Sequence, residues 1–174
     1  MLIEDETTLR LFPPLRSRWG EKGRQVVVPI SGYNAKRVLS GVINPKTGHR
    51  IASAAARGGK KEFRKFIDKV RACYRNRRII LLLDRNSSHL FLNHPATQED
   101  LNVRALWLPK QWPELNSMDQ IWKSLKSLIA ANHQYADVDE LAEYALKWLH
   151  SLSPLSAKRK AGLLSAKSWL RNVL

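Results

Sequence analysis

A mixed α/β sheet flanked by helices is the architecture expected of this 174-residue chain, for three reasons. Apolar runs of strand length alternate with segments of helical period, and the resulting order of strand, helix, strand, helix, strand, helix favours parallel neighbours in one sheet. Several β-rich runs before residue 56, separated by turn signals, add an antiparallel meander. The continuous apolar run from Ile79 to Leu83 suits a strand covered on both faces.

Taken in order, Met1 to Glu4 runs straight into Asp5-Glu6 and reads as the end of a strand whose beginning is missing. Phe12-Pro13-Pro14 to Gly20 is a loop by its prolines. Trp19 and the cations Arg10, Arg16, Arg18 and Lys22 in or beside it suit contact with a phosphate backbone, and equally a solvated basic loop. Val26 to Ile30, Val38 to Ile43 and Arg50 to Ala55 are expected strands of the meander, with turns at Ser31-Gly32-Tyr33-Asn34 and Asn44-Pro45-Lys46-Thr47-Gly48. From Lys60 the period changes. Phe63, Phe66, Ile67, Val70 and Tyr74 form the apolar stripe of an amphipathic helix whose other face is basic. Asp84 closes the strand at Ile79 to Leu83, a short helix is expected around Pro95 to Asp100, and Val103 to Leu108 is a further apolar strand. A helix starting near Asn116 or Ser117 presents Met118, Ile121, Trp122, Leu125, Leu128 and Ile129 on one face. Another spans about Val138 to Leu149, and beyond Pro154 a basic helix shows Leu163, Leu164, Trp169 and Leu170 on its apolar side.

At 44% hydrophobic content the chain can fill the core of one domain. Thirty Lys and Arg against fifteen Asp and Glu give a formal charge of +15, which favours a polyanion, and nucleic acid suits it better than a membrane because no basic stretch carries enough apolar surface to anchor on lipid. The longest apolar run is far too short to span a bilayer, and the N-terminus lacks the order of a signal peptide. A soluble protein of the cytoplasm or nucleoid is expected. The single Cys73 excludes an internal disulfide, and the five histidines show no paired ligand spacing with it, so any metal should be a hard ion held by carboxylates.

Two-metal phosphoryl transfer requires acids that converge from separate elements, because the cations must reach both the attacking and the leaving oxygen of one phosphodiester. Strand ends and a helix start can supply that convergence. Asp5 at the first strand, Asp84 after the buried strand and Asp119 in the first turn of the long helix are the candidates, with 34 residues between Asp84 and Asp119. Each acid also has a purely structural reading. Asp119 suits position N3 of a helix capped by Asn116, with Lys123 as its ion-pair partner; Asp84 suits a turn after a strand; Asp5 suits an exposed terminal position.

Asp5-Glu6, Leu83-Asp84 with His89 five residues on, and Pro113-Glu114-Leu115-Asn116-Ser117-Met118-Asp119-Gln120-Ile121-Trp122 resemble the catalytic domain of transposases of the Tc/mariner superfamily and their bacterial insertion-sequence relatives. The resemblance runs from Asp5 to roughly Leu149 and is densest over residues 106 to 126, where Leu-Pro, Pro-Glu-Leu-Asn, an acid, Trp122 and Lys126 fall in family order. It implies a ribonuclease H-like mixed sheet and a triad of Asp5, Asp84 and Asp119 that binds Mg²⁺ or Mn²⁺. The activity implied is DNA strand cleavage and strand transfer in the transposition of an insertion sequence. Arg16, Arg18, Lys22, Arg85, His89 and Lys123 are the candidate DNA contacts, with His89 alternatively orienting Asp84. The partners implied are transposon ends, target DNA, a helix-turn-helix module that is separate or missing, and a second copy in a homodimer.

Three departures from the family pattern bear on activity. Arg85 stands where an Asn commonly follows the second acid, Ser117 replaces a usual Pro, and Asp119 replaces the Glu commoner in the bacterial branch, although mariner-type members use Asp. The whole chain reads as one catalytic domain, with residues 154–174 as a basic helical tail, cut from a longer or split reading frame. Two rival readings are a catalytically inactive remnant that binds DNA non-specifically and a ribonuclease H-like nuclease acting on other nucleic acids.

Overall fold

The computed structural model describes residues 1–17, 19–110, 112–130, 132–166 and 168–172. Its centre is a five-stranded sheet built from β1 (Leu2–Arg10), β2 (Lys36–Ile43), β3 (Arg50–Ala55), β4 (Ile79–Leu83) and β5 (Val103–Trp107), in the order β3-β2-β1-β4-β5. The pairs β1–β2 and β2–β3 are antiparallel, whereas β1–β4 and β4–β5 are parallel. The expected combination of a meander with parallel strands is therefore present, but its first member is β1.

Two sequence expectations are corrected here. The first strand continues to Arg10, so Asp5 lies within it and not at its end; β1 pairs with β2 from Ile3↔Ile43 through Arg10↔Lys36. Residues 26–30 form no strand. Val27 is 78% exposed, and both sides of β2, the next strand along the chain, are already taken by β1 and β3.

Alternation along the strands separates two cores. On one face Ile3, Leu39, Ile43 and Leu82 meet Met118, Ile121, Trp122 and Leu125 of α3 (Ser117–Leu125) and Leu141, Ala145 and Leu149 of α4 (Val138–Ser151). On the other, Leu2, Val42, Ile51, Leu81 and Leu83 meet Phe63, Phe66, Ile67 and Val70 of α1 (Lys60–Cys73). A short α2 (Pro95–Asp100) leads into β5.

After α3 a π-helical turn spans Lys126–Ala130. Its wider repeat shifts the face, so that Ile129 is buried while Leu128, expected inward, is exposed. The C-terminal basic helix is in two pieces, α5 (Pro154–Lys160) and a 3₁₀ turn at Trp169–Asn172. Gly162, at φ 69°, separates them. Leu163 and Leu170 join the α3 and α4 core, whereas Leu164 and Trp169 do not. Among the described residues no helix is long and apolar enough to cross a membrane.

Candidate active site

Parallel pairing fixes the first two acids relative to one another. Leu2 lies beside Leu81 and Ile3 beside Leu82; continuing that register brings Asp5 level with Asp84, just past the C-terminal end of β4. The third acid is placed by Asn116. Its side chain accepts from the Met118 N–H at 3.1 Å, which caps α3, while its Nδ2 donates to the Glu4 carbonyl at 2.8 Å. One buried amide thus caps the helix and ties its first turn, and Asp119 within it, to the strand that carries Asp5. Gly41, opposite Asp5 on β2, completes the fit: a Cβ there would come within 2.7 Å of both Met118 Cε and Trp122 Cζ2.

Asp5, Asp84 and Asp119 line a single cavity of about 650 Å³, together with Glu6, Arg85, Asn86 and Trp112. Burial, and then the nearby carboxylates of Asp119 and Asp84, push the Asp5 carboxyl up from 3.8 to about 7. Asp84 is held below the usual carboxylate range, chiefly by its hydrogen bond with His89. Asp119 makes an ion pair with Lys123 at 2.7 Å, so its structural role at N3 and its convergence on the cavity coexist. Three hard oxygen donors whose mutual repulsion shows in Asp5 are a set suited to a hard divalent cation. Among the described residues, no three His, Cys, Asp or Glu side chains are closed into a ready-made metal group, and Lys123 holds one of the candidate ligands.

The remaining predicted residues fall into different places. His89 is 1% exposed, with its ring withdrawn from the surface. Its Nδ1 lies 2.9 Å from Asp84 Oδ1, the orienting position that was the alternative. Arg85 lines the acid cavity, but its guanidinium lies 5.9 Å from the centre of the Trp107 ring. Arg16 and Lys123 share a separate hollow with Lys160, and Lys22 is exposed on the loop. Arg18 lies outside the described residues.

Sequence reasoning missed Glu4, Asn86 and the tethering role of Asn116. The Asn86 N–H donates to Asp84 Oδ1 at 2.9 Å, and Asn86 lines the same cavity, one position after Arg85. Glu4 shares the period of Leu2 on β1 and so faces the α1 core. A carboxylate at an inward position of an otherwise apolar strand start was the available signal.

Comparison with known proteins shows what this arrangement is similar to. A sequence model of the DDE superfamily endonuclease family matches residues 1–142. The chain is 25% identical over 158 residues to the insertion element IS630 uncharacterized 39 kDa protein of Shigella sonnei, covering 88% of this chain and 46% of that protein. Its fold is similar to the Mos1 mariner paired end complex with Mn, at a TM-score of 0.69 and 16% identity, over 92% of this chain and 51% of the other. It is also similar to the catalytic domain of Mos1 mariner transposase, at a TM-score of 0.60 and 15% identity, over 93% and 76% of the respective chains. The mixed sheet is thus the ribonuclease H-like one of that transposase domain, and the chain spans about half the length of the IS630 protein.

Proposed function

This chain belongs to the DDE superfamily endonuclease family, and we propose that it is the catalytic domain of an insertion-sequence transposase, carrying out metal-dependent cleavage and strand transfer of DNA. The observation that carries this reading is the convergence of Asp5, Asp84 and Asp119 on one cavity from a strand, a strand end and a helix start. Asp5, Asp84 and Asp119 are the residues that would hold Mg²⁺ or Mn²⁺. Bound divalent cations supply activation of the attacking oxygen and charge stabilisation at the leaving oxygen.

In cleavage, the oxygen of water bonds to phosphorus and the bond from phosphorus to O3′ breaks, leaving a 3′-hydroxyl and a 5′-phosphate. In transfer, that 3′-hydroxyl attacks a phosphodiester of target DNA and displaces a new 3′-hydroxyl. The chain's own residues position these reactants. Asn116 and the parallel register hold the acids in place, Arg85 at the cavity wall would meet the DNA backbone, and Arg16, Arg18, Lys22 and Lys123 would supply further cations for it. Transposon ends and target DNA are the substrates, a helix-turn-helix module and a second copy are the protein partners, and the cytoplasm or nucleoid is the place of action.

The test is nicking of element-end DNA with Mn²⁺, with a helix-turn-helix module supplied in trans. Asp84→Asn should abolish it, and equal activity in that variant would sink the assignment. The Asp119–Lys123 pair and the lack of a ready-made metal group among the described residues favour one second reading, an inactive DNA-binding remnant. Mn²⁺ titration separates the two, since an ion that binds the folded chain must raise its melting temperature.

A further inference from the structure

Glu4 is wholly buried, at 0% exposure, and neither of its carboxylate oxygens has a hydrogen-bond partner among the described residues. Removing such a group from water is costly, and an apolar residue at the same place would remove the cost. A buried acid without a partner therefore calls for a role.

The group nearest to it in function is His89. The imidazole Nε2, itself buried and without a hydrogen-bond partner among the described residues, lies 3.8 Å from Glu4 Oε2 and 3.8 Å from Glu6 Oε2, while Nδ1 lies 2.9 Å from Asp84 Oδ1. The ring has little freedom. Its centre is 4.1 Å from that of Phe63 on α1, and the His89 N–H donates to the Asn86 carbonyl at 2.9 Å. Residue 4 is also tied to the elements of the other two acids: it precedes Asp5 in β1, and its carbonyl accepts from Asn116, which caps the helix of Asp119.

We propose that Asp84, His89 and Glu4 form a carboxylate–imidazole–carboxylate line in which His89 is a positioning residue for the Asp84 carboxylate and Glu4 holds the far side of the ring. This inference rests on the reading of Asp84 as a metal ligand. A hydrogen bond between Glu4 and Nε2 completes the line whichever of the two carries the proton, and it requires the contact to shorten by about 1 Å. A partner behind a ligand fixes the ligand's orientation, and its loss typically lowers metal affinity about 10- to 100-fold.

Mn²⁺ affinity of the full chain, measured by titration calorimetry without DNA, tests this. Glu4→Gln, which keeps a group able to hydrogen-bond Nε2, should stay within about threefold of the parent. Glu4→Met and His89→Phe, which fill the same space without that bond, should bind at least about tenfold more weakly. Glu4→Met should at the same time melt no lower than the parent in the absence of metal, a combination that a merely structural role does not produce. Unchanged affinity in both apolar variants overturns the line. A parent chain that binds no Mn²⁺ overturns the metal-site reading itself, and the line with it. Should the apolar variants fail to fold, ¹⁵N spectra of the parent imidazole decide: a His89 Nδ1–H protected from exchange supports the line, and rapid exchange overturns it.

Discussion

Asp5 has two properties that pull against each other: it sits inside a strand, and it must face two other carboxylates. Its raised pKa has a direct consequence for the metal-free protein. Between the unfolded value near 4 and the folded value of about 7, the native state binds more protons than the unfolded one, so stability should fall as pH rises through that window. The loss should amount to a few kcal/mol in order of magnitude, and Asp5→Asn should remove it when the melts of the two proteins in chelator are compared. Asp84 contributes with the opposite sign. Its lowered pKa contributes stability that is present above the unfolded value near 4 and is lost as pH falls below it, a window that lies beneath the one in which Asp5 titrates. Lys123 provides a second test. Its pair with Asp119 is largely exposed on the lysine side, so Lys123→Met should cost no more than about 0.5 kcal/mol in denaturant unfolding. If Asp119 is a ligand, the same variant should tighten Mn²⁺ binding by freeing its carboxylate.

At the scale of elements, the fit between α3 and the sheet decides where the third acid stands. Gly41→Ala would drive a methyl group into Met118 and Trp122, and overpacking of this kind costs about 1–3 kcal/mol. Because the displaced helix carries Asp119, Mn²⁺ affinity should fall along with the melting temperature. Asn116→Ala should be worse for the site than for the fold. The lost cap costs about 1 kcal/mol, but the bond to the Glu4 carbonyl goes as well, so metal binding should drop more than stability loss alone explains. Helix starts such as this one were legible beforehand: the Asn116 cap, Asp119 at N3 and the Lys123 partner all follow from local spacing. The strand at Ile79–Leu83 and the α1 stripe were equally legible, because their apolar periods record which faces are buried. The full length of β1 was not, since polar residues at Glu6, Thr7 and Thr8 hide a stretch of strand that its pairing with β2 sustains.

For the whole molecule, the formal charge of +15 would dominate the proposed contact with DNA. Affinity for ordinary duplex should fall steeply with salt. Neutralising about six phosphates would give a slope of about −5 in log affinity against log salt, readable by fluorescence anisotropy, and a flat dependence would contradict a charge-driven contact. Length, composition, the alternation of helix and strand between Lys60 and Leu149, and the candidate acids with their motif were legible in the sequence alone, because periodicity, capping and local spacing are properties of neighbours along the chain. Three further points depended on the tertiary structure: that Asp5 and Asp84 stand level across parallel strands, that Arg85 turns over Trp107, and that His89 is buried between Asp84 and Glu4. Each of these relations joins residues brought together by sheet order and packing, and sequence separation carries no record of which strand becomes whose neighbour.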